Sequence, residues 1–117
     1  MKRSAFMNWL RRLGPARLLL VPPLLIAAIS LPMALGIVPP NGFYGLRTTR
    51  SLASAEIWYA SNFQAGIAGV VLGLAGAVVV HVIMRMRSIS EVARVLLAGA
   101  TILLVSFGSM FAGLLAT

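Results

Sequence analysis

Three long apolar runs, at residues 18–38, 62–84 and 92–115, leave this chain few folds to adopt. Each is long enough for a helix to cross a hydrocarbon core of roughly 30 Å, which takes about 20 residues. Inside a bilayer the backbone must bond to itself, so such runs become helices. Composition points the same way: 60% of the 117 residues are hydrophobic and only 10% are charged, against about 25% charged in soluble domains. The expected fold is all-α, a single membrane domain with three transmembrane helices and the lipid bilayer as its first partner.

The net charge of +8 would suggest nucleic acid in a soluble protein. Here the cations flank the apolar runs and read as topology signals, so no nucleic-acid partner is expected. Residues 4–13 carry Phe6, Trp9, Leu10 and Leu13 at helical spacing opposite Asn8, Arg11 and Arg12, the pattern of an amphipathic helix lying in the interface. Gly14 and Pro15 end it. The first run is also compatible with a secretory signal peptide, given the basic start and the small residues Ala34 and Gly36, but it is long for that purpose. Pro22 and Pro23 suit a first helical turn, whereas Pro32 lies in the interior, where a kink is expected.

In the second run Gly66, Gly69, Gly73 and Gly76 recur every three or four residues, a face that admits another helix closely. A homo-oligomer packed partly through Gly69 and Gly73 is one expectation from it. Ser106, Ser109 and Gly113 form a similar face in the third run, and Ser88 or Ser90 is the candidate cap at its start. Lysine and arginine concentrate before residue 18 and between Arg85 and Arg94. The amino terminus is therefore expected inside, the loop 39–61 outside and the carboxyl terminus outside a bacterial cytoplasmic membrane.

The chemistry is concentrated in PPNGFYGLRTTRSLASAEIWYASN, residues 39–62. Pro39, Pro40, Asn41 and Gly42 end the first helix and turn the chain, Gly45 is a flexible point, and Ser54 with Glu56 marks a helix start. Arg47 and Glu56 are expected to pair as a clamp over the helix ends or, alternatively, Arg47 contacts a ligand directly. Arg50 suits a headgroup contact. Trp58 and Tyr59 fall at an aromatic belt, and Asn62 is the polar candidate on the second span. His81, one turn before Arg85, reads as a packed or solvated histidine.

The Asn-bearing turn followed by Gly45-Leu46-Arg47-Thr48, Ser51-Leu52, Glu56-Ile57-Trp58 and Asn62 resembles the signature of the SdpI family of bacterial membrane proteins. The resemblance implies a polytopic protein that intercepts a secreted peptide toxin and confers immunity, and in the founding case also sequesters a transcriptional repressor. It makes Asn41, Gly45, Arg47, Thr48, Glu56, Trp58 and Asn62 the candidate ligand-binding or loop-organising residues, and a peptide toxin or another membrane protein the candidate partner.

Catalysis is not expected. The chain has no cysteine and one histidine, so a metal site would need oxygen ligands, and no cofactor is implied. Glu56 and Glu91 are predicted on opposite sides of the membrane, too far apart to share a reacting atom. The competing classes are a transporter or channel protomer, which would need a polar path through the spans, and a structural subunit of a larger membrane complex.

Overall fold

The computed structural model describes residues 2–117; the side chains of Lys2, Arg3, Leu10, Leu13, Pro15 and Ala16 lie outside the described residues, so the Leu10 and Leu13 positions of the amphipathic pattern are not placed. Four helices follow in order: α1 (Lys2–Leu18), α2 (Val21–Ala34), α3 (Ala55–Arg85) and α4 (Glu91–Leu115). Within α1, Gly14 takes a left-handed φ of 74° and separates the amphipathic stretch from Pro15–Leu18. Before it, the rings of Phe6 and Trp9 stack 6.0 Å apart and stay more than half exposed, an apolar surface facing away from the bundle.

The first apolar run does not form one helix over residues 18–38. α2 has 14 residues, about 21 Å at 1.5 Å per residue, which is short of a hydrocarbon core. Two local causes set its ends. Pro22 and Pro23 have no amide hydrogens to give to the turn before them. At the other end Gly36 (φ 69°) makes a left-handed cap: its amide bonds the Met33 carbonyl at 3.1 Å and that of Ile37 bonds the Pro32 carbonyl at 3.3 Å, the paired bonds of a Schellman motif. Pro32 itself lies inside the helix.

α3 and α4 are each long and apolar enough to cross a membrane. Ser54 caps α3 by accepting from the Ile57 amide at 3.1 Å, and Ser90 caps α4 by accepting from Ala93 at 3.1 Å. In their most apolar stretches only 28% of α3 and 11% of α4 is buried. A soluble core helix would bury most of that surface, so lipid is the solvent that makes this exposure favourable. The chain is a helical membrane protein with two spanning-length helices and a shorter apolar one.

α3 is the centre of the bundle: α2 and α4 both pack on it and barely touch each other. Its buried stripe is small, running through Ser61, Ala65, Gly66, Gly69, Gly73, Gly76 and Ala77. The missing side chains are what let the helices approach. A methyl group on Gly66 would overlap the α2 backbone at Met33 and Ala34, one on Gly69 would overlap the Ser30 hydroxyl, and one on Gly73 would come 2.7 Å from the Pro23 carbonyl. Gly76 faces Val105 of α4. Gly69 and Gly73 thus pack against α2 of the same chain. At the opposite end of the bundle from the loop, Val80, Met84 and Ala98 form an apolar cluster with Leu19, Leu20 and Ile102, and Arg94 donates to the Met84 and Met86 carbonyls at 3.4 Å. This guanidinium satisfies the carboxyl end of α3 and favourably meets its negative dipole.

Candidate functional site

The segment between α2 and α3 has no regular structure, yet side chains fix it at every few residues. Asn41 begins it: its Oδ1 accepts from the amides of Phe43 (3.0 Å) and Tyr44 (2.6 Å), while Nδ2 donates to the carbonyls of Pro39 (2.9 Å) and Tyr44 (3.0 Å). All four bonds of the amide group close one turn. The Tyr44 hydroxyl then donates to the Ile29 carbonyl of α2.

Asn62 holds the middle. It is 2% exposed, and its Oδ1 accepts from the Leu46 amide at 2.6 Å while Nδ2 donates to the carbonyls of Leu46 (3.3 Å) and Trp58 (3.0 Å). The side-chain amide therefore meets the backbone of Leu46 as a β-strand neighbour would. Gly45 has φ 105°, and a methyl group there would sit 2.7 Å from Asn62 Oδ1 and 3.3 Å from the Trp58 ring. Dihedral and space both require glycine.

Trp58 is fully buried, and its Nε1 donates to the Val38 carbonyl at 2.9 Å. It anchors the start of the loop, whereas the sequence suggested an interfacial belt; of the expected pair only Tyr59, 40% exposed, faces outward. Ser51 is also fully buried. Its hydroxyl accepts from the Thr48 amide (2.7 Å) and donates to the Leu46 carbonyl (2.9 Å), and its amide donates to Thr48 Oγ1 (3.0 Å). The Thr48-x-x-Ser51 spacing, which permits this reciprocal pair, was the available signal for a residue the sequence reading gave no role of its own.

Arg47 and Glu56 do not form the expected clamp. Both are exposed, and neither they nor Arg50 makes an ion pair or side-chain hydrogen bond among the described residues. Glu56 sits on the outward side of the first turn of α3, and Arg47 leaves the loop where Leu46 is pinned inward. Charge complementarity in the sequence carried no information about these directions. Phe43, 90% exposed, joins them on the outer surface.

Beneath the loop the gap between α2 and α4 forms a cleft of about 370 Å³, floored by Ala65 of α3 and lined by Ile29, Ser30 and Met33 on one side and Ser109 and Met110 on the other. Ser109 donates across the bundle to the Ala65 carbonyl at 2.9 Å, and Gly113 is buried against Ala65, Ser61 and Leu46. Ser106 departs from the expected shared face: it is exposed and its hydroxyl bonds its own helix at Ile102, 2.9 Å away. His81 lies exposed toward the far end of α3. Among the described residues no three acidic or imidazole side chains gather as a metal site would need. The arrangement sets exposed cations without ion-pair partners, among the described residues, above a mostly apolar cleft.

No curated protein and no solved structure matches the chain. A model of the SdpI/YfhL protein family matches residues 37–115, which takes in the whole loop, α3 and α4 and leaves α1 and α2 outside. Every candidate residue of the loop lies within the match, and on it the chain belongs to the SdpI/YfhL protein family.

Proposed function

We propose that this is an immunity-type protein of the bacterial cytoplasmic membrane that binds a peptide toxin at its outer loop, without catalysis and without a cofactor. One observation carries the reading. Asn41, Gly45, Thr48, Ser51, Trp58 and Asn62 are engaged in holding the loop, and the side chains this leaves free include exposed Phe43, Arg47, Arg50 and Glu56. A surface fixed in advance loses little entropy on binding, and an aromatic flanked by arginines is the usual composition of a binding hot spot.

The reading includes a third crossing. Leu20 keeps helical dihedrals (φ −76°, ψ −23°) and its amide bonds the Arg17 carbonyl at 3.2 Å, so Pro15–Leu18 and α2 continue one another across Leu19 and Leu20. The combined path from Pro15 to Leu35 is about 30 Å, the thickness of a hydrocarbon core, and the concentration of lysine and arginine before residue 18 and between Arg85 and Arg94 supports an amino terminus inside and a loop outside. The test is survival of a bacterial strain, sensitive to a secreted membrane-active peptide, when it expresses this chain. Replacing Phe43, Arg47 and Arg50 together by Ala is expected to abolish protection while the protein still folds and reaches the membrane. Full protection by the triple variant would sink the proposal.

A further inference from the structure

The cleft between α2 and α4 lies between two apolar helices, is open on one side, and has no occupant among the described residues. Its extent along α2, from Ile26 to Met33, is about 10 Å, roughly two thirds of one leaflet of a 30 Å core. The cleft is lined mostly by apolar side chains and has a volume of about 370 Å³, which suits an extended hydrocarbon chain drawn from the surrounding lipid.

At its loop end the cleft meets Tyr44, Gly45 and Leu46. Arg47 follows at once and Arg50 three residues later, both exposed and both without a carboxylate partner. Two exposed guanidiniums without a carboxylate partner, on the loop that borders one end of an apolar cleft, are complementary to a lipid phosphate. We infer that the cleft holds one acyl chain of an anionic phospholipid from the leaflet on the loop side, with its headgroup phosphate on Arg47 and Arg50. The lipid would then be a resident part of the surface beneath the loop. This inference shares Arg47 and Arg50 with the toxin-binding reading but does not rest on it, since lipid retention in detergent is read without any toxin.

Native mass spectrometry of the purified full chain, titrated in mild detergent with phosphatidylglycerol or phosphatidylcholine, tests it. One phosphatidylglycerol per chain is expected to be retained, with a preference over phosphatidylcholine on the order of tenfold, the scale two interfacial arginines provide. Arg47→Gln with Arg50→Gln is expected to remove that preference. Ser106→Phe, at an exposed position whose hydroxyl bonds only its own helix, projects a ring into the cleft and is expected to remove retention of both lipids, while circular dichroism shows the helix content of the parent. Equal retention of the two lipids by the parent, or unchanged retention in a folded Ser106→Phe protein, overturns the inference. So does one-to-one retention of a synthetic 20-residue apolar helical peptide that displaces phosphatidylglycerol from the parent but not from Ser106→Phe.

Discussion

Asn62 shows how much of the loop rests on single side chains. Asn62→Leu removes both bonds to Leu46 and leaves its part-buried amide unpaired, a loss of about 1–2 kcal/mol, seen as a lower melting temperature in detergent. Trp58→Phe deletes the bond to Val38 and leaves a cavity where the larger indole of this fully buried residue stood; about 2–3 kcal/mol is expected. Arg47→Ala and Glu56→Ala, by contrast, are expected to leave the melting temperature unchanged, because both side chains are exposed and unpaired. A shared, non-additive loss in these two variants would restore the clamp. The residue types in this stretch were legible as important from the sequence, but their division of labour was not. An Asn near an apolar run can bind a ligand, bridge helices or mimic a strand, and only the proximity of Leu46, sixteen residues away, selects the last.

Helix starts were the most legible elements, since a capping serine acts on residues three positions away and the whole interaction is local: Ser54 was named, and Ser90 was one of two candidates. The glycine face was legible as a packing surface, yet its partner was not, because spacing alone says that a helix approaches and not whose helix it is. With α2 seated on Gly66, Gly69 and Gly73, Gly69→Leu or Gly73→Leu is expected to push α2 off α3 and lower thermal stability by several degrees even where the protein is monomeric. Size-exclusion chromatography alongside thermal melts separates this from loss of a copy-to-copy seam, which would change the oligomeric state first. Ser109→Ala deletes the bond from α4 to the Ala65 carbonyl and is expected to cost about 0.6 kcal/mol, the usual value for such bonds between membrane helices. The end of α2 was misjudged because hydropathy continues through Ile37 and Val38 while the backbone stops at Gly36: length of an apolar run measures solubility in lipid, and the Schellman cap decides where the helix ends.

At the scale of the molecule the arrangement in the membrane is open to a direct test, helped by the absence of native cysteine. Thr49→Cys is exposed in the loop and is expected to react with an impermeant maleimide on intact cells, whereas Ser88→Cys, between α3 and α4, is expected to react only after lysis. The reverse pattern would invert the topology. The loop's anchoring also governs how the molecule opens. Its amides at Tyr44, Leu46, Thr48 and Ser51 are all held by side chains, and Asn62 and Trp58 of α3 tie the loop to the helix at Leu46 and Val38. Loop and helix are therefore one cooperative unit, and hydrogen–deuterium exchange is expected to find these four amides nearly as slow as the first turns of α3. Asn62→Leu should release them as a group. A segment with the composition of a flexible linker thus opens on the timescale of the helix that carries it, so that whatever meets this surface meets a single shape.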